Sequence, residues 1–174
     1  MTFEIYSDIT NRSMTIASRA MRRVLQRKSS ILWAIFGWSV FFINALLLIP
    51  FDGEPFTLDA STVISLLVEV MLLSVLLFQD RFNGIIARKN ALTGTKEYHV
   101  AFGEDSYTVV TVATTSTVRY ELIDALAESQ DYIILLMKKR YAQPLDKRTL
   151  TGGTVEEFKR FLEEKTGKTF RRVK

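Results

Sequence analysis

Two stretches of the chain are too long and too uniformly apolar to be ordinary soluble sequence. Ser30 to Ile49 reads SILWAIFGWSVFFINALLLI without a formal charge, and Ala60 to Phe78 reads ASTVISLLVEVMLLSVLLF with one acid, Glu69. At ~1.5 Å per residue, about twenty helical residues cross the ~30 Å hydrocarbon layer of a bilayer. An isolated apolar segment in lipid must pair every backbone N–H and C=O internally, and the helix does so. Transmembrane spans are therefore expected at about 31–49 and 60–78, closed by Pro50 and by Gln79-Asp80-Arg81. A cleaved signal peptide fits the first run poorly, because it starts late, is too long and is followed by a second span. A buried hairpin of a soluble protein would need a core large enough to hide both rods, which a chain of 174 residues hardly supplies.

Charge sets the expected orientation. Arg12, Arg19, Arg22, Arg23, Arg27 and Lys28 precede the first span, and Arg81, Arg88, Lys89 and Lys96 follow the second. The connection from Pro50 to Asp59 has acids but no lysine or arginine. The positive-inside rule then predicts a multi-pass plasma-membrane protein with both termini cytoplasmic. The juxtamembrane bases Arg19, Arg22, Arg23, Arg27, Lys28, Arg81, Arg88 and Lys89 point to anionic lipid head groups as partners. The formal net charge is only +4, and beyond residue 95 basic and acidic side chains nearly balance, which argues against nucleic acid.

Between residues 10 and 28, Met14, Ala17, Met21, Val24 and Leu25 recur at helical spacing among arginines. Such a helix lies on the inner membrane surface, or it continues the first span as a stalk packed on Arg81–Asn90. Within the spans Glu69 is the outlier, since an ionisable group at mid-membrane costs roughly 2.5–3.5 kcal/mol on insertion scales. Asn44, Ser39 and Ser65 are its candidate hydrogen-bond partners. Glu69 either pins the hairpin or a homo-oligomer together, or marks an ion path.

From Lys96 onward short β-rich runs alternate with turns: Lys96–Phe102, Ser106–Ala113, Ser116–Tyr120, Ile123–Glu128 and Asp131–Met137. Lys138-Lys139-Arg140 has the look of a hairpin tip, with Tyr141–Leu145 returning. Thr154-Val-Glu-Glu157 is a capping box opening a helix whose apolar face is Val155, Phe158, Phe161 and Leu162 and which stops at Gly167. The expected plan is an α+β membrane protein: residues 1–94 form a strand, a basic helix and the hairpin, and residues 95–174 form a cytosolic domain. An antiparallel sheet capped by one C-terminal helix is the pleckstrin-homology-like (PH-like) arrangement. Thr2–Tyr6 alternates as a strand does and could join that sheet, while Arg171-Arg172-Val-Lys174 reads as a solvated tail.

The string of motifs at Phe102–Asp105, Tyr120–Glu128, Asp131–Leu135, Pro144 and Glu156–Lys165 resembles the YcxB-like membrane proteins. The resemblance implies a bacterial plasma-membrane protein with two transmembrane helices and a PH-like domain. Its motifs are structural, and none is catalytic.

No nucleotide loop, nucleophile elbow or metalloprotease motif occurs, so no enzyme is expected. Without cysteine, and with His99 as the one histidine, no metal or other cofactor is expected either. His99 itself reads as a surface or edge residue. The basic tip Lys138, Lys139 and Arg140, with Lys147 and Arg148 nearby, is the candidate contact for lipid or a protein partner. Three function classes follow: a membrane-anchored binding or adaptor module, an immunity protein that pairs with a membrane-acting toxin, or an oligomeric conduit centred on Glu69.

Overall fold

The computed structural model describes residues 2–49, 59–137 and 141–173. Strand β1 (Phe3–Asp8) and helix α1 (Asn11–Val24) lead into two long helices, α2 (Arg27–Leu47) and α3 (Ala60–Lys89). Then come β2 (Glu97–Phe102), β3 (Ser106–Thr111), β4 (Thr115–Arg119), β5 (Ala125–Glu128), β6 (Tyr132–Met137), β7 (Tyr141–Asp146), α4 (Val155–Thr166) and β8 (Phe170–Arg172). The protein is thus α+β, with sheets ordered β1-β2-β3-β4 and β7-β6-β5-β8.

Alternation along β1 turns Phe3, Ile5 and Ser7 inward, as a half-buried strand requires. β1 pairs antiparallel with β2 from Phe3↔Phe102 to Asp8↔Glu97. Strands on either side of the apolar hairpin are therefore hydrogen-bonded neighbours. The seam between the sheets is closed by Asp146 N–H donating to Ser7 Oγ at 2.8 Å and by Glu4 and Thr151 exchanging backbone bonds.

The inner core joins Phe3, Ile5, Val100, Phe102 and Tyr107 to Leu126, Ile133, Leu135 and Leu145. Helix α4 covers it with Phe158 and Leu162; the Phe158 ring lies 4.8 Å from Phe102 and 5.2 Å from Phe3. The Thr154–Glu157 capping box is formed, and Gly167 closes the helix at φ 64°, in the left-handed region that favours glycine. β6 is buried along its whole length because its second face is covered too: Ala17, Ala20 and Met21 of α1 pack on Tyr132, Ile134 and Leu136. A strand covered on both faces reads as continuous apolar sequence, and YIILLM does.

Two expectations need correction. α1 packs on the Arg81–Asn90 end of α3 as the stalk reading expects, with Thr15 against Gly84, but it does not run on into the first long helix: the chain breaks at Leu25 and Gln26, and α1 wedges between the second sheet and α3. The end of the chain is not a loose tail. Phe170–Arg172 adds to β5 as a parallel strand, Val173 is buried, and its N–H donates to Glu128 O at 2.8 Å. The added strand gives β5 a partner on what would otherwise be a bare edge.

The two long helices invert the soluble pattern. No residue of α2 is buried, and in α3 the buried residues are Glu69, Asp80 and Gly84. Leu32, Trp33, Phe36, Phe42, Leu47, Leu67 and Met71 are all exposed. A soluble monomer rarely exposes so large a contiguous apolar surface. Both helices are long and apolar enough to cross a membrane. Close approach is arranged by glycine: a Cβ on Gly37 would stand 2.5 Å from Leu76 Cδ2, and one on Gly84 would stand 2.6 Å from the Thr15 backbone N.

These two contacts predict opposite tolerances. Gly→Ala favours a helix by ~1 kcal/mol, whereas overpacking costs about 1–3 kcal/mol. At Gly84 the obstacle is helix backbone and cannot yield, so Gly84→Ala should lower the melting temperature of the detergent-solubilised chain. At Gly37 the obstacle is a leucine tip that can swing aside, so Gly37→Ala should be near neutral. A Gly84→Ala chain that melts higher than wild type would refute the close approach of α1 and α3.

Candidate functional site

The apolar hairpin meets the globular body at Asp80, where the apolar run of α3 ends. The residue is 9% exposed, and its carboxylate is forked by Arg22 of α1, with Nε to Oδ1 at 2.7 Å and Nη2 to Oδ2 at 2.5 Å. Arg19, one turn earlier, adds its Nε at 3.5 Å. Bidentate arginine–carboxylate pairs are the strong form of charged hydrogen bond. Arg22 and Arg19, expected to face lipid, thus hold α1 against α3. Asp80 escaped notice as a site residue because an acid closing an apolar span, directly followed by Arg81, reads as punctuation.

Beside this clamp lies a cleft of about 1050 Å³, bounded by α1, the feet of α2 and α3, the β3–β4 hairpin and the edge strand β7. Its apolar lining includes Met14, Met21, Trp33, Val109 and Val118, and its polar lining includes Ser30, Gln79, Asn83, Thr111, Ser116 and Gln143. Arg22 is the one formally charged side chain in that lining among the described residues, and it is engaged by Asp80. The β7 edge facing this space is partly blocked: Pro144 has no N–H, and its carbonyl accepts from the Tyr98 hydroxyl. Burial pushes the Tyr98 phenol well above its usual range, so this donor keeps its proton at any ordinary pH. The cleft is a neutral, amphipathic space with no carboxylate, imidazole or amine in its described lining.

The remaining site candidates scatter. Lys138, Lys139 and Arg140 lie outside the described residues. Lys147 sits inward as a strut, donating to Glu128 Oε1 at 2.6 Å and to the Ser129 carbonyl at 2.7 Å. Glu128 is also held by Lys159 at 2.7 Å; burial pushes its carboxyl up, and these two lysines outweigh that, leaving it below the usual range. Arg148 is turned back on Asp146 at 2.6 Å and holds that carboxylate below its usual range. Arg88 reaches Asn11 Oδ1 at 3.3 Å, while Lys28, Arg81 and Lys89 are exposed on α2 and α3. Arg23 and Arg27 lie on the far side of α1, in a smaller hollow. His99 stacks on Tyr6 at 4.3 Å, its Nε2 3.2 Å from Glu4 Oε2.

Glu69 is 8% exposed, and neither carboxyl oxygen has a hydrogen-bond partner. With Gly37 against Leu76, one heptad along each antiparallel helix brings Asn44 level with Glu69. The Asn44 amide nevertheless donates to Val40 O at 2.9 Å, and Ser39 bonds Ile35 O, both within their own helix. The expected polar pairing is not made.

Two substitutions follow. Breaking the clamp with Asp80→Asn should cost about 2 kcal/mol in unfolding of the solubilised chain, and a double-mutant cycle with Arg22→Gln should show at least ~1 kcal/mol of coupling. Glu69→Leu, which removes an unpaired buried carboxyl, should raise stability by about 1–3 kcal/mol. A Glu69→Leu chain less stable than wild type would mean that Glu69 holds a partner outside the single chain.

Residues 102–162 match the family model described as YcxB-like protein, from the end of β2 through most of α4. The match spans roughly a third of the chain and leaves out the apolar hairpin, β1 and α1. No curated protein and no solved structure matches.

Proposed function

We propose that this chain, YcxB-like over residues 102–162, is a non-enzymatic membrane-anchored binding module that receives a neutral, amphipathic segment of a partner protein. The hairpin α2–α3 spans the plasma membrane, and a PH-like body of two sheets capped by α4 stands on the cytoplasmic side. Exposed leucine, phenylalanine and tryptophan along both helices support the anchor. The arginine-rich flanks support the inward orientation. Pairing of β1 with β2 supports a common side for the two flanks of the hairpin, because strands bonded to one another must share a compartment.

The observation that carries the binding reading is the cleft at the foot of the hairpin. At about 1050 Å³ it lies at the upper end of ordinary ligand pockets and is walled by elements from both membrane helices and both sheets. Its methionines adapt to varied apolar surfaces, while its serines, threonines and amides satisfy a peptide backbone. A lining whose one charge among the described residues is already neutralised disfavours nucleotides, metal ions and strongly charged peptides. The lack of acid, amine or imidazole along its described walls favours recognition over chemistry.

A photoreactive phenylalanine analogue placed at Ser116, inside the cleft, should crosslink a protein in native membranes, while the same group at Glu156 on exposed α4 should not. Filling the cleft with Ser18→Trp should suppress the adduct. Equal labelling at both positions, or labelling of lipid alone from Ser116, would remove the basis for a protein ligand.

A further inference from the structure

On the side of α1 away from the cleft lies a hollow of about 360 Å³ in which arginines from three parts of the chain converge. Arg22 and Arg23 come from α1, Arg27 from the first turn of α2, and Arg171 and Arg172 from β8; Ile31 closes the lip. We propose that this hollow is a headgroup site for an anionic phospholipid, whose phosphodiester is gripped between Arg27 and the arginine pair of the C-terminal strand. The proposal rests on the membrane placement of the hairpin.

Arg27, Arg171 and Arg172 bring like charges to one cavity, which is unfavourable unless something anionic sits among them. The carboxylates nearby are already engaged. Asp80 is held by Arg22, and Glu128, the register partner of Arg172, is taken by Lys147 and Lys159. No acid lines the hollow among the described residues. Guanidinium forks match phosphate oxygens in geometry as well as charge. Ile31 favours lipid over soluble phosphate: it is the first apolar residue of α2, so the hollow opens where the headgroup layer gives way to acyl chains. β8 is what brings Arg171 and Arg172 there, since its parallel pairing with β5 carries the chain end back to the foot of the hairpin.

Tryptophan fluorescence reads the site. The chain has two tryptophans, both on α2, while Ile35 lies one turn beyond Ile31 on the same face and is 58% exposed. In an Ile35→Trp chain with Trp33→Phe and Trp38→Phe, reconstituted into vesicles, brominated phosphatidylglycerol should quench the introduced indole more than brominated phosphatidylcholine at equal mole fraction. Arg171→Gln with Arg172→Gln should weaken that preference roughly tenfold, and Arg27→Gln should weaken it on its own. The β8 ladder is made by backbone, so the glutamine variants should melt with the parent. Arg119→Gln with Arg160→Gln, which removes the same charge elsewhere, should leave the preference intact. Added inorganic phosphate at constant ionic strength should not compete.

Equal quenching by the two lipids, a preference that survives loss of Arg27 and of the Arg171–Arg172 pair, an equal loss in the control pair, or displacement by phosphate would each overturn the headgroup assignment. Absence of quenching by either lipid would instead overturn the membrane placement beneath it.

Discussion

The pairing of β1 with β2 governs the architecture. Residues 3–8 are hydrogen-bonded to residues 97–102, and everything between them is the basic helix and the apolar hairpin. Such a ladder closes a loop of nearly ninety residues, and loop closure costs entropy that the inner core must repay. Phe3 and Ile5 do so by entering the same cluster as Phe102, Leu135 and Phe158. Whatever the hairpin crosses, its two flanks must meet again in one place. The two-sheet body is therefore not a C-terminal appendage but a unit completed by the first residues of the chain.

A second constraint follows. Because β1 is fixed to the sheet and α1 begins three residues later, α1 has little freedom in where it goes. It lies across the second sheet, with Ala17 and Ala20 allowing close contact, and presents Thr15 to Gly84 and Arg22 to Asp80. Apolar packing on one side and a charged fork plus a glycine contact on the other make α1 the joint between the two-sheet body and the apolar hairpin. Apolar burial alone could not serve on the α3 side: the helix surface beside Asp80 passes into a rod whose leucines and phenylalanines face outward. A forked carboxylate is specific to one register where a greasy face is not.

How far this was legible in the sequence depended on whether a signal was local. The two apolar runs, the capping box at Thr154, the strand runs around Tyr98, Tyr107 and Ile133, and the alternation of β1 are carried by neighbouring residues and emerged as expected. What stayed hidden was pairing at a distance. Arg22 and Asp80 are far apart in the chain, and each resembled an ordinary flanking charge. Phe170–Val173 is too short and too basic to read as a strand, and only the vacant edge of β5 makes it one. Lys147 and Arg148 looked like surface bases because Glu128 and Asp146 could not be assigned to them from order alone. Glu69 was conspicuous in the sequence, yet the polar groups level with it turn to their own helix instead.

The division of charge between the two hollows follows from the same helix. α1 separates a neutral cleft on one side from an arginine-lined hollow on the other, and Arg22 borders both. Asp80 limits what Arg22 can do: while the fork is made, its Nε and Nη2 are committed to the carboxylate and its charge is met there. A ligand that took the Nε and Nη2 donors of Arg22 would have to replace a bidentate carboxylate, and a single monodentate contact cannot match that. The clamp thus offsets the one formal charge that the described lining of the cleft carries. Both spaces beside α1 then share an arginine whose charge is met by one buried acid at the foot of the apolar hairpin.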